Sequence, residues 1–145
     1  DLHSFPTRRS SDLTNGDIKR EGSDVTIVAY GNQLFVAMDA AEELAKGGIS
    51  AEVLDPRTLY PLDKDLIATS VAKTGNVIVT SEEFKRGSYA GEISAFISEE
   101  LFDSLDSPVR RVCALDTPVP FAPILEQAFL PKAEDIVQAV REQLG

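Results

Sequence analysis

Asp24-Val-Thr-Ile-Val-Ala-Tyr30, broken by Gly31-Asn32 and followed by Leu34 to Lys46 and then Gly47-Gly48, is the stretch that decides the fold. The first part is a continuous apolar, β-branched run, the pattern of a strand buried on both faces. The second places Leu34, Val36, Ala37, Ala41, Leu44 and Ala45 on one helical face, with the paired glycines as its C-cap. A doubly buried strand leading into a helix is the unit from which parallel sheets are built.

The rest of the chain repeats that alternation. Ile49 to Leu54 reads as a second strand and Asp55-Pro56 as a turn. Asp63 is placed to cap a helix over Lys64 to Lys73 that Gly75 ends, and Asn76 to Thr80 reads as a third strand. Glu82 to Tyr89 is read as a polar loop. Ala90 to Leu105 follows as an amphipathic helix carrying Ile93, Phe96, Ile97, Leu101 and Leu105, and Pro108 to Leu115 as a fourth strand. Asp116 to Pro123 is a proline-rich loop, Ile124 to Phe129 a short helix, and Pro131 opens a last helix to Leu144. The expected fold class is α/β: a three-layer α/β/α sandwich with a mainly parallel, about five-stranded sheet.

Composition narrows the function. The chain has 145 residues, 43% hydrophobic and 26% charged, with a formal net charge of −10. That balance is globular. The acidity argues against nucleic acid and for a basic protein partner. No apolar run approaches the roughly 20 residues that span a bilayer, so no membrane partner is expected. The single cysteine, Cys113, excludes an internal disulfide and fits a cytoplasmic location.

Residues 1–13, DLHSFPTRRSSDL, match one reading frame of a DNA-sequencing adapter and are expected to be a non-native leader. An export signal would be followed by an apolar segment, and Thr14 to Gly22 is polar. Residues 14–23 are read as a linker and 24–145 as the domain, the genuine protein continuing upstream. The sole histidine, His3, lies in the leader, so the remainder holds no imidazole for acid–base or triad chemistry.

The strand ends present Asp55, Arg57, Glu82, Glu83 and Asp116 where open α/β sheets bind ligands. Glu82-Glu83 reads either as a carboxylate pair for acid–base work or metal, or as two residues of an exit loop facing different ways. Asp55 and Asp116 precede prolines, where Asp stabilises turns. Gly87-Ser-Tyr-Ala-Gly91 lacks the Lys-Ser/Thr of a phosphate loop, and the acidic pair before it repels phosphate. Cys113, in mid-strand, reads as a buried structural thiol.

Four short signatures occur in order: Asp55-Pro-Arg-Thr-Leu-Tyr-Pro-Leu-Asp63, Ser70-Val-Ala-Lys-Thr-Gly75, Asp116-Thr-Pro-Val-Pro120 and Leu130-Pro131. Together they resemble the C-terminal domain of transketolase-type, thiamine-diphosphate-dependent enzymes, most of all the beta subunit of the 2-oxo acid dehydrogenase component. The resemblance implies an α2β2 assembly with an alpha subunit and a second beta subunit. Thiamine diphosphate and magnesium would lie between the alpha subunit and the N-terminal half of beta. It therefore implies no catalytic, cofactor-binding or metal-binding residue here, and a fragment inactive alone.

One role is carried over. An acidic residue before the Ala/Ser-Pro-Val segment and the terminal carboxylate dock the basic peripheral domain of the dihydrolipoamide acyltransferase. The matching positions are Asp106, in Ser104-Leu-Asp-Ser-Pro-Val109, and Gly145. The competing reading of Asp106 is a turn before Pro108. The alternatives for the chain are the same domain from a deoxyxylulose phosphate synthase or transketolase, or a stand-alone non-enzymatic interaction module.

Overall fold

The computed structural model describes residues 15–116 and 122–145, with the side chains of 125–127 left aside. The expected loop at Asp116 to Pro123 therefore falls mostly outside the described residues. Five strands form one sheet in the order β1-β3-β2-β4-β5: β1 (Asp17–Arg20), β2 (Val25–Ala29), β3 (Ala51–Asp55), β4 (Val77–Phe84) and β5 (Arg110–Ala114). Neighbours β3, β2, β4 and β5 pair in parallel. The α/β/α sandwich and its mainly parallel sheet are as the sequence pattern predicts.

Both sheet faces are apolar because successive residues of β2 point opposite ways. Ile27 packs under α1 (Gln33–Lys46) and α5 (Ala133–Leu144) with Leu44, Ile136 and Val140. Val28 packs on the other face under α2 (Lys64–Thr74) and α3 (Tyr89–Glu100) with Ile67, Val71, Ile93 and Ile97. Asp63 caps α2 as expected, its Oδ1 accepting from the Leu66 N–H at 3.1 Å. A short α4 (Pro123–Phe129) precedes α5.

Four local readings are corrected. The sequence reading places no strand in 14–23, yet Asp17–Arg20 pairs antiparallel with β3. Four residues, three of them charged, carry almost no period-two signal, and the pairing comes from the open edge of β3 rather than from β1 itself. The supposed loop from Glu82 begins as strand, since β4 runs on to Phe84. The helix predicted to Leu105 stops at Glu100, and Phe102–Ser104 forms a 3-10 turn. On α1 the buried face holds Ala40 rather than Ala45, which is exposed.

Candidate docking surface

At the N-terminal ends of the strands, residues distant in sequence are tied into one edge. Gly75 ends α2 in the left-handed conformation, φ 73°, which a side chain would strain. The Asp106 N–H donates to the Gly75 carbonyl at 2.7 Å. The Ser107 hydroxyl donates to Asn76 Oδ1 at 2.7 Å, and Asn76 Nδ2 reaches the Asp24 and Thr74 carbonyls, both at 3.3 Å. The loop before β5 is thus fastened to the turn between α2 and β4.

The Asp106 carboxylate lies directly over Gly75, where an added Cβ would come within 2.3 Å of its Oδ2. Among the described residues that carboxylate makes no hydrogen bond or ion pair, and the residue is exposed. The turn before Pro108 is held by the backbone and by Ser107, leaving the charge to solvent.

The last helix arrives at the same edge. Gln143 Nε2 donates to the Val77 carbonyl at 3.1 Å and to the Pro108 carbonyl at 3.0 Å, and Arg110 pairs with Glu142 at 3.1 Å. Gly145, exposed, follows two residues later. The fold therefore brings both residues named from the sequence, Asp106 and Gly145, to one edge of the sheet.

Behind this edge lies a buried polar network that the sequence pattern does not announce. Glu52, 1% exposed on β3, accepts from Lys73 Nζ at 2.5 Å and from the Gly22 N–H at 3.1 Å. Burial pushes the Glu52 carboxyl up, but Lys73, Ser70 and the Gly22 N–H outweigh it and hold it below its ordinary value. Beside it, the Thr26 hydroxyl meets Ser70 and Thr74, each at 2.7 Å. Strands β2 and β3, helix α2 and the β1–β2 connection are pinned together by groups that each find a partner.

The opposite edge holds the strand-end residues. Glu83 turns back to accept from the Tyr30 hydroxyl and, at 3.4 Å, from Ser81, and both Glu82 and Glu83 line a 360 Å³ cleft with Phe84, Arg86 and Phe129. Of the two carboxylates, Glu83 is the one committed to hydrogen bonds with Tyr30 and Ser81. Burial, then the Glu83 hydrogen bond, pushes the Tyr30 phenol above its ordinary value, so it remains a donor. Asp55 accepts from the Arg57 N–H at 2.9 Å, the turn role expected of it, and Asp116 pairs with Arg86 at 3.6 Å. Cys113 is half-buried rather than fully buried, and burial pushes its thiol up, which disfavours the thiolate. Among the described residues no group of three His, Cys, Asp or Glu could hold a metal ion. No helix there is long and apolar enough to cross a membrane.

Comparison with known proteins gives concordant matches. Residues 14–136 match the family model for the transketolase C-terminal domain. Among curated proteins, the acetoin:2,6-dichlorophenolindophenol oxidoreductase subunit beta of Bacillus subtilis (strain 168) is 49% identical over 133 residues, 92% of this chain and 39% of that protein. The 2-oxoisovalerate dehydrogenase subunit beta of the same organism is 44% identical, over 90% of this chain and 40% of its own length. Its pyruvate dehydrogenase E1 component subunit beta is also 44% identical, over 92% and 41%. The chain thus spans about two-fifths of the length of these curated relatives. Among solved structures, a split-gene transketolase described as an inactive beta4 tetramer superposes with a TM-score of 0.77 at 31% identity, over 99% of this chain and 45% of its own.

Proposed function

The chain belongs to the transketolase C-terminal domain family, and from that premise we propose that it is the assembly and partner-docking domain of a 2-oxo acid dehydrogenase beta subunit. The whole enzyme would oxidatively decarboxylate a 2-oxo acid and transfer the acyl group to lipoamide. The identities of 44–49% to three beta subunits, against 31% to the split-gene transketolase, support this choice over a transketolase. Within the subunit, residues 1–13 would be a non-native leader and the cofactor-binding half would precede residue 14. The cellular setting would be the cytoplasm.

The described residues do not suit thiamine diphosphate and magnesium. They offer no group of three His, Cys, Asp or Glu for the metal, and the start of α3, which would attract a diphosphate, follows Glu82 and Glu83. The cofactor would sit between the alpha subunit and the N-terminal half of beta, in an α2β2 tetramer.

The observation that supports the docking role is the tie of Gln143, two residues before Gly145, to Pro108 on the loop that carries Asp106, with the Asp106 carboxylate left to solvent. A basic acyltransferase domain would be steered there by complementary charge. Asp106→Lys is expected to weaken binding of that domain by about 10-fold or more at low salt, because a favourable contact becomes a repulsive one. The exposed position leaves the fold intact, which circular dichroism would verify. Unchanged affinity at low salt, measured by titration calorimetry, removes Asp106 from the docking site.

A further inference from the structure

A second surface lies between the turn at residues 59–62 and α3. Leu59 and Leu62 bridge to close the turn, and the Tyr89 hydroxyl donates to the Leu59 carbonyl, fixing it against the start of the helix. Tyr60 is 90% exposed at the tip of this fixed turn, beside Pro61. Between turn and helix runs a groove of about 740 Å³ whose aromatic walls are Tyr60, Tyr89 and Phe96.

The rim is acidic. Glu92, Glu99 and Glu100 line it with Lys64, and among the described residues Glu100 is the one of the three that is paired, at 3.8 Å. Lys64 itself stands 4.9 Å from the centre of the Phe96 ring. The chain's own ammonium thus shows what the groove accepts: a cation held between a ring face and a carboxylate. Glu92 and Glu99 extend the same offer to a cation from outside.

We propose that this groove docks an extended, basic, proline-containing segment of a partner protein. Proline rings lie flat on aromatic walls, and a polyproline segment is already extended, so little chain entropy is lost on docking. Tyr60 is the anchor, a large ring presented at low entropy cost. Arginines between the prolines meet Glu92 and Glu99. The acidic rim of Glu92, Glu99 and Glu100 calls for a basic occupant at this groove. The proposal does not depend on the docking role of Asp106, which lies on the loop before β5.

The test is fluorescence anisotropy of the full chain with a labelled peptide of repeated Pro-Pro-Arg. Saturable, salt-sensitive binding is expected. Tyr60→Ala and Glu99→Lys should each lower the affinity about 10-fold, as should replacing the prolines of the peptide by glycine. Absence of binding overturns the proposal, as does binding that ignores Tyr60→Ala or tolerates the glycine peptide, since charge alone would then be the cause. Sedimentation supplies a further check: a dimer of the chain that Tyr60→Ala dissolves would assign the groove to self-association and overturn it too.

Discussion

Lys73→Met is expected to destabilise the domain by about 3 kcal/mol at about pH 7, whereas Glu52→Gln costs only about 1 kcal/mol. The asymmetry comes from burial. Lys73 is 45% exposed on its side chain, and without Glu52 its ammonium can turn to water. Glu52 is 1% exposed and cannot. Losing its cation leaves a carboxylate supported only by the Gly22 N–H and Ser70, and burial then dominates its ionisation.

The pH dependence distinguishes the variants. In the wild type the folded-state Glu52 carboxyl is held below its ordinary 4.5. Its stabilising contribution is therefore present above that value and is lost as pH falls through the folded-state value. In Lys73→Met the same carboxyl is expected to lie above its ordinary value, so its deficit shrinks as pH is lowered toward about 5. The double variant with Glu52→Gln should be more stable than Lys73→Met alone, because a neutral amide replaces a stranded charge. Urea unfolding followed by circular dichroism measures all three. A Lys73→Met variant as stable as Glu52→Gln would mean that water reaches Glu52 and that the network does not pin the sheet.

The second large effect is at the other side of the same carboxylate. Gly22 carries the chain from β1 towards β2, and a Cβ there would sit 2.3 Å from the Ala51 carbonyl carbon and 2.5 Å from Glu52 N. These are backbone atoms of β3, held on both sides by parallel and antiparallel neighbours. They cannot swing aside as a side-chain end can. Gly22→Ala is expected to cost about 2–3 kcal/mol by forcing residue 22 off the strand and breaking its hydrogen bond to Glu52. The damage should fall first on β1, an edge strand of four residues. Amide exchange at Ile18 and Arg20 should rise before that of Ile27 or Ile78. Equal acceleration across the whole sheet would show that β1 is not a separable element.

These two sites also mark where the sequence is legible and where it is not. The central strands are long apolar runs buried on both faces, and α2 is bounded by Asp63 and Gly75, so each carries its own local signal. β1 carries none: Asp17-Ile-Lys-Arg20 is a strand because β3 has an unpaired edge and Gly22 permits a close approach. The strand character of Ser81 to Phe84 is hidden in the same way, since its acidic residues read as loop until β5 lies alongside. Glu52 and Lys73 stand 21 residues apart, and no periodicity links them. Asp106 and Gly145 were nameable from a family resemblance. Their shared edge needed the fold, which sets Asp106 against Gly75 and Gln143 against Pro108.

The central claim, that this chain is the assembly domain of a 2-oxo acid dehydrogenase beta subunit, is tested most directly by exchange. The corresponding segment of the Bacillus subtilis acetoin oxidoreductase beta subunit, 49% identical over 133 residues, would be replaced by this chain and the chimera produced with its alpha subunit. Co-elution as one assembly that retains acetoin-dependent reduction of 2,6-dichlorophenolindophenol is the predicted result. A chimera that is folded by circular dichroism yet elutes apart from the alpha subunit would contradict it.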